Sequence, residues 1–256
     1  MLALVLVLGL IALGINAIGP VGQQTNNATI PAGYNLVFED NFNNLSEIKW
    51  EIVTSEKYNW LECVTRDNIY VENGNLVTRV KQGYCPSGLP GYNYNAGLAM
   101  SKDSWKYGFF EIRAKVAAGK GLNNGFWLIG TDWVWPPEID IVETAGYDDI
   151  PDTIYMSYYN PDNEWKKDIY NGPDFSQDFH IYGMEWTSTS ITWYIDGVER
   201  YRVTRYDGSI ASTHMQVILS MNRGWTDGID GLPRDEILPK YQYIDYIKIY
   251  QKGVAN

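Results

Sequence analysis

The sequence predicts an all-β protein, a two-sheet sandwich in one main domain, and three observations carry that prediction. Short runs of β-branched and aromatic residues recur along the chain between turns rich in Gly and Asn. No long segment shows the spacing of an amphipathic helix. Neither an internal repeat nor a low-complexity tract breaks the pattern, and 256 residues fit one domain of 200 or more residues plus a leader.

Residues 1–18 are almost wholly apolar, interrupted only by glycines and Asn16. They read as a secretory signal peptide, with an uncleaved N-terminal membrane anchor as the alternative. Residues 19–33 are polar and rich in Gly, Asn and Thr, which makes them a linker. Residues 34–252 form the main domain. Leu36-Val37-Phe38 and Asn75 to Val80 look like strands. The run Phe110 to Val116 alternates, with one face apolar and the other charged. Phe126-Trp127-Leu128-Ile129 suits a central strand. Ile191 to Ile195 and Val198 to Tyr201 flank Asp196-Gly197, a two-residue hairpin signal. Tyr243 to Tyr250 closes the domain as a last strand. Cys63 and Cys85 are the only cysteines. A disulfide between them suits an exported chain, and two free buried thiols are the alternative.

Composition excludes several classes of function. A formal charge of −11 argues against nucleic acid and against sulfated polymers as partners. Two histidines, His180 and His214, are too few for a three-His zinc site, and the chain has no HExxH. No Gly-x-Ser-x-Gly supports a serine nucleophile. Gly119 to Gly125 lacks the spacing of a phosphate loop, and an aromatic strand follows it. The aromatic content, with 10 Trp and 20 Tyr, fits a large β core and equally a cleft whose ring faces pack on sugars.

The chemistry concentrates in Glu138-Ile139-Asp140-Ile141-Val142-Glu143. On a regular strand Glu138 and Asp140 share one face, Ile139 and Ile141 the other. Strict alternation would bury Glu143 with the isoleucines, which is costly for an unpaired carboxylate. A β-bulge near Ile141 or Val142 returns Glu143 to the face of the other two acids. The two Glu Cα atoms then lie about 13 Å apart, a span that two inward-leaning side chains can largely close. Two carboxyl groups about 5–5.5 Å apart are what a retaining glycosidase needs. Asp140 between them would hydrogen-bond to one Glu and hold the two proton affinities apart. The alternatives are a charged strand edge or a structural cation site.

The surrounding motifs resemble glycoside hydrolase family 16. Leu36 to Phe42 resembles its opening strand, and Tyr107-Gly108-Phe109-Phe110-Glu111-Ile112-Arg113-Ala114-Lys115 its "YGxxExRxK" strand. Trp135-Pro136-Pro137 leads into the acid stretch, which resembles the family's bulged active-site motif. Phe179 to Trp186, Trp193 to Gly197 and Asp245 to Tyr250 resemble later hallmarks in the right order. The resemblance implies a concanavalin A-like β-jelly-roll sandwich with a concave polysaccharide cleft. It implies Glu138 as nucleophile, Asp140 as its assisting acid and Glu143 as acid/base, with no cofactor in catalysis. Trp127, Trp133, Trp135, Asn95 and Trp225 are the implied substrate contacts, a core role competing at Trp127. A structural calcium, as some members hold, would fall by position on Glu39, Gly74 and Asp245. The bulged form of the motif resembles laminarinases, agarases and carrageenases. The implied activity is endo-cleavage of a neutral β-1,3-glucan by a secreted monomer. Agarose or mixed-linkage glucan, transglycosylation, and a non-catalytic glycan-binding role are the competing readings. Two stretches depart from the family pattern: Tyr155 stands where many bulged relatives carry His, and Ile218 to Trp225 differs from the laminarinase wording.

Overall fold

The computed structural model describes residues 30–54, 63–85, 94–144, 151–223 and 237–253. The leader and most of the linker lie outside the described residues. The first strands are β1 (Tyr34–Asp40), β2 (Trp50–Ile52), β3 (Cys63–Val64), β4 (Ile69–Glu72) and β5 (Asn75–Gln82). Then follow β6 (Tyr94–Ser101), β7 (Gly108–Lys115), β8 (Leu122–Gly130), β9 (Val134–Glu143), β10 (Thr153–Tyr159) and β11 (Trp165–Asn171). The last five are β12 (His180–Trp186), β13 (Ser190–Ile195), β14 (Val198–Thr204), β15 (Met215–Arg223) and β16 (Lys240–Lys252).

These strands form two layers. One has the order β11-β10-β9-β8-β15-β6 and the other β5-β16-β7-β12-β13-β14. The layers join where Lys81 and Gln82 of β5 pair with Asn95 and Tyr94 of β6. Alternate apolar side chains from each layer meet in one core. Phe126 and Leu128 of β8, Ile139 of β9, Met156 of β10 and Leu219 of β15 enter it from one side. Ile112 of β7, Met184 of β12, Trp193 of β13 and Ile247 of β16 enter from the other. Fully burying an aliphatic side chain of this kind contributes roughly 1.5–3 kcal/mol.

The strands read from the sequence fall within strands of the fold, except that β7 ends at Lys115, one residue short of Val116. Asp196 and Gly197 have φ of 51° and 76°, the left-handed pair that a two-residue hairpin between β13 and β14 requires. Cys63 and Cys85 are bonded, with Cα atoms 5.6 Å apart, which ties β3 to the segment after β5. The charged face of β7 is partly buried, with Glu111 4% exposed. Tyr246 of β16 donates its hydroxyl to Glu111 at 2.9 Å, and burial holds that carboxyl above its ordinary range. The outer face of this layer carries a small apolar cluster of its own, Phe109, Ile181 and Tyr250.

Candidate active site

The bulge is visible in the register of β9 against both neighbours. From Asp140 to Glu143 the strand advances three residues, while β8 advances two, from Trp127 to Gly125. On the other side β10 also advances two, from Ser157 to Tyr155. The extra residue is Ile141, because Val142 pairs with Phe126. Ile141 and Val142 both enter the core, so Glu143 returns to the face of Glu138 and Asp140. Directly paired residues share a face. Three cross-strand rows result: Ile129–Glu138–Tyr159, Trp127–Asp140–Ser157 and Gly125–Glu143–Tyr155.

The three acids line one groove with Asn123, Gly125, Trp127, Ser220 and Asn222. A Cβ at Gly125 would meet Ser220 Oγ at 2.6 Å, so glycine keeps the floor open beside Glu143. Asn123 donates its side-chain N–H to Glu143 Oε1 at 3.1 Å, and its own Oδ1 accepts from the Thr144 N–H at 3.3 Å. Asn124 beside it, facing the core, is held by the main chain of Ala117 and by Thr144. The end of β9 is thus fixed from both faces.

Burial and mutual repulsion dominate the electrostatics. Burial pushes Glu138 up to about 8, with the Glu143 charge adding to it and the Trp135 N–H opposing it. Asp140 is pushed well above the carboxylate range by burial and by both glutamates. Burial also raises Glu143, against the Asn123 hydrogen bond and the charge of Lys167. Three such groups do not ionise together near neutrality, so the cluster holds carboxylate and carboxylic acid side by side. Asp140 couples to the glutamates through charge and not through the side-chain hydrogen bond its position suggested.

The aromatic residues divide. Trp127 lines the groove and donates its N–H to Ser220 Oγ at 3.2 Å. Its ring centroid lies 6.5 Å from that of Trp133, and both pack on an apolar cluster that includes Ile129, Ile218 and Met100. Trp135 is half exposed and lies 5.5 Å from Tyr159, which stacks on half-exposed Trp165 at 5.8 Å and 6°. Lys167 sits 4.1 Å over the Trp165 ring. Asn95 does not line the groove; it is 5% exposed and donates to the Tyr84 carbonyl at 3.1 Å. Trp225 lies outside the described residues. Sequence reasoning missed Asn123, Ser220, Asn222, Tyr159 and Trp165. Ser220 and Asn222 alternate with Leu219 and Met221, and that polar alternation inside an apolar strand was the available signal.

The two carboxylates of the implied calcium set have other partners. Asp245 accepts from Arg113 at 2.7 Å, and Glu39 lies 3.6 Å from Lys248 Nζ. Both carboxylates already face side-chain cations, and among the described residues no group of three or more His, Cys, Asp or Glu could hold a metal.

A two-sheet sandwich with clustered acids and aromatic rings on one open face defines a class of carbohydrate-active protein. The family model described as Glycosyl hydrolases family 16 matches residues 54–231, and the chain belongs to that family. The endo-1,3-1,4-beta-glycanase ExsH of Rhizobium meliloti (strain 1021) is 33% identical over 167 residues, covering 63% of this chain and 34% of that protein. Glucan endo-1,3-beta-glucosidase A1 of Niallia circulans is 28% identical over 272 residues, 91% of this chain and 40% of that protein. The chain therefore spans about a third to two fifths of these relatives' own length. Among solved structures, SCLam, a non-specific endo-beta-1,3(4)-glucanase, superposes with a TM-score of 0.76 at 29% identity, covering 88% of this chain and 93% of that one. The laminarinase catalytic domain from Thermotoga maritima MSB8 gives 0.77 at 28% identity, with 86% and 99% coverage.

Proposed function

We propose that this chain is a retaining, endo-acting β-glucanase whose first substrate is a neutral β-1,3-glucan of laminarin type. The observation that carries the reading is the bulged strand β9, which sets Glu138, Asp140 and Glu143 on one face of an open groove. Glu138 attacks the anomeric carbon while Glu143 gives its proton to the departing glycosidic oxygen. The C–O bond breaks, and a glycosyl ester forms on Glu138. Glu143, now ionised, takes a proton from water as that water attacks the same carbon; the ester bond to Glu138 breaks, its carboxylate is freed, and the configuration is retained after two inversions. Positive charge developing at the sugar favours the ionised form of Glu138, and the fixed hydrogen bond from Trp135 favours it further. Asp140 keeps the charge and the proton on different glutamates.

Mixed-linkage cleavage is the second reading, favoured by the likeness to ExsH, an endo-1,3-1,4-beta-glycanase, and SCLam, a non-specific endo-beta-1,3(4)-glucanase. The disulfide and the apolar stretch at 1–18 support an extracellular site of action. No helix among the described residues is long and apolar enough to cross a membrane. A reducing-end assay on laminarin, mixed-linkage β-glucan, agarose and κ-carrageenan, with Glu138→Gln beside it, tests the proposal. Release from laminarin that the variant loses is the expected result. Release from agarose alone would overturn the substrate, and glycan binding without release would overturn the chemistry.

A further inference from the structure

Ser157 of β10 stands directly across from Asp140 of β9 on one side and from Lys167 of β11 on the other. Ile154, Met156 and Tyr158 of the same strand enter the core, so Ser157 lies on the face that carries the acids. It is nonetheless 1% exposed, and its hydroxyl has no hydrogen-bond partner. Asp140, 5% exposed, lines the groove, and its carboxyl is raised by burial and by the charges of Glu138 and Glu143, with no side-chain hydrogen bond opposing them. A buried hydroxyl without a partner, placed directly opposite a carboxyl group, faces a complementary acceptor. Directly paired residues hold their Cβ atoms about 4.5–5.5 Å apart. A hydroxyl one bond beyond one Cβ then reaches a carboxylate oxygen two bonds beyond the other, after one step between staggered χ1 wells.

We propose that Ser157 is a positioning residue of the carboxylate cluster: its hydroxyl donates to Asp140 and fixes that side chain between Glu138 and Glu143. The inference rests on the hydrolase reading for its kinetic consequence, not for the contact itself. The charged groups around Asp140 are Glu138 and Glu143 on its own strand and Lys167 on β11. The facing residues of β8, Gly125 and Trp127, carry no charge. Among these neighbours Lys167 is held over Trp165 and bears on Glu143, which leaves Ser157 as the uncharged donor next to Asp140. A donor at this point favours the ionised form of Asp140; its loss makes that carboxyl hold its proton to higher pH, and a more fully protonated Asp140 opposes the glutamate charges less.

Ser157→Ala removes one oxygen and Ser157→Thr keeps the hydroxyl. In the alanine variant the acidic limb of the kcat/KM profile on laminarin should move down, because a protonated Asp140 no longer opposes ionisation of Glu138, and the threonine variant should return it toward wild type. A merely structural role would lower activity without moving the limb. A second measurement needs no activity: thermal unfolding against pH for Ser157→Ala, alone and combined with Asp140→Asn. Alone, the substitution should destabilise increasingly as pH rises above the ordinary carboxylate range and Asp140 ionises in the folded state, because the folded state has lost a stabiliser of the anion. Combined with Asp140→Asn, that pH dependence should vanish. An unmoved acidic limb, a threonine variant equal to alanine, or a pH dependence that persists without Asp140 would each overturn the proposal. Should the wild type cleave no polymer, the hydrolase reading falls, and the unfolding series still decides the contact.

Discussion

The indole N–H of Trp193 donates to the main-chain carbonyl of Asp140 at 2.7 Å, across the core from one layer to the other. The bulge at Ile141 breaks the regular ladder of β9, and a carbonyl at such a break needs a partner elsewhere. Trp193 supplies it from β13, and Tyr201 stacks on its ring at 5.0 Å. The far layer thus takes part in aiming the acids.

Trp193→Phe keeps most of the packing and removes that donor. The orphaned carbonyl should cost about 1–3 kcal/mol. Thermal unfolding should register the loss as a lower Tm. Steady-state kinetics should show kcat falling more than KM rises, because the groove stays intact while Glu143 is re-aimed. A variant with unchanged Tm and kcat would mean that the bulge holds without the indole.

Asn123 holds Glu143 by a hydrogen bond that favours the charged carboxylate. Asn123→Ala should therefore raise the proton affinity of Glu143. As the general acid must be protonated for the first step, the alkaline limb of kcat/KM should move up by about one pH unit. A pH–rate profile across both limbs checks this, and a downward move would reverse the assigned role of the amide.

Some of the site was legible in the sequence because its logic is local. Strict alternation would have buried Glu143, and only a bulge near Ile141 relieves that, so one six-residue run implied its own geometry. Asp196-Gly197 likewise carries its turn in its own dihedral preferences. What was not legible depends on which strands lie side by side. Asn123 meets Glu143 through the register of β8 on β9, and Ser220 and Asn222 arrive from a strand some eighty residues later in the chain. Glu111 looks solvated until Tyr246 of β16 covers it. The cations beside Asp245 and Glu39 were hidden for the same reason, since Arg113 and Lys248 reach them only through strand neighbours.

Trp135 has two separable parts, a half-exposed ring beside Tyr159 and an N–H directed at Glu138. Trp135→Phe keeps the ring and drops the hydrogen bond, so Glu138 should hold its proton longer and the acidic limb of kcat/KM should rise. Trp165→Ala removes ring area at the far end of the strip and no hydrogen bond to an acid. It should weaken oligosaccharide binding by about threefold to tenfold without moving either limb. Titration of laminari-oligosaccharides into each variant in the Glu138→Gln background separates binding from turnover. Equal behaviour of the two would mean that the strip does not divide this way.

The Cys63–Cys85 bond closes a loop with a sequence separation of 22 and anchors β3 beside β6. In the chain-entropy account a loop of this size contributes about 3 kcal/mol. A Cys63→Ser, Cys85→Ser double variant should melt several degrees below wild type, and reductant should lower the wild type alone. The same Tm with and without reductant would show that the cross-link adds nothing to stability.

Burial of Glu138 makes a prediction about stability whose sign opposes the usual surface carboxylate. Its proton is held up to about 8 in the folded protein, against about 4.3 in an unfolded chain. Between those values the folded state binds the proton and the unfolded state does not. Stability must then fall as pH rises across that window, and it is fully present below it. Glu138→Gln removes the titration and keeps the shape. The variant should match wild type near pH 4 and become the more stable protein by pH 8, the gap widening steadily between. Thermal unfolding of both proteins at intervals of one pH unit tests it. A gap that narrows with rising pH would mean that Glu138 is already ionised in the folded enzyme, and Asp140 and Glu143 would then carry the protons of the cluster.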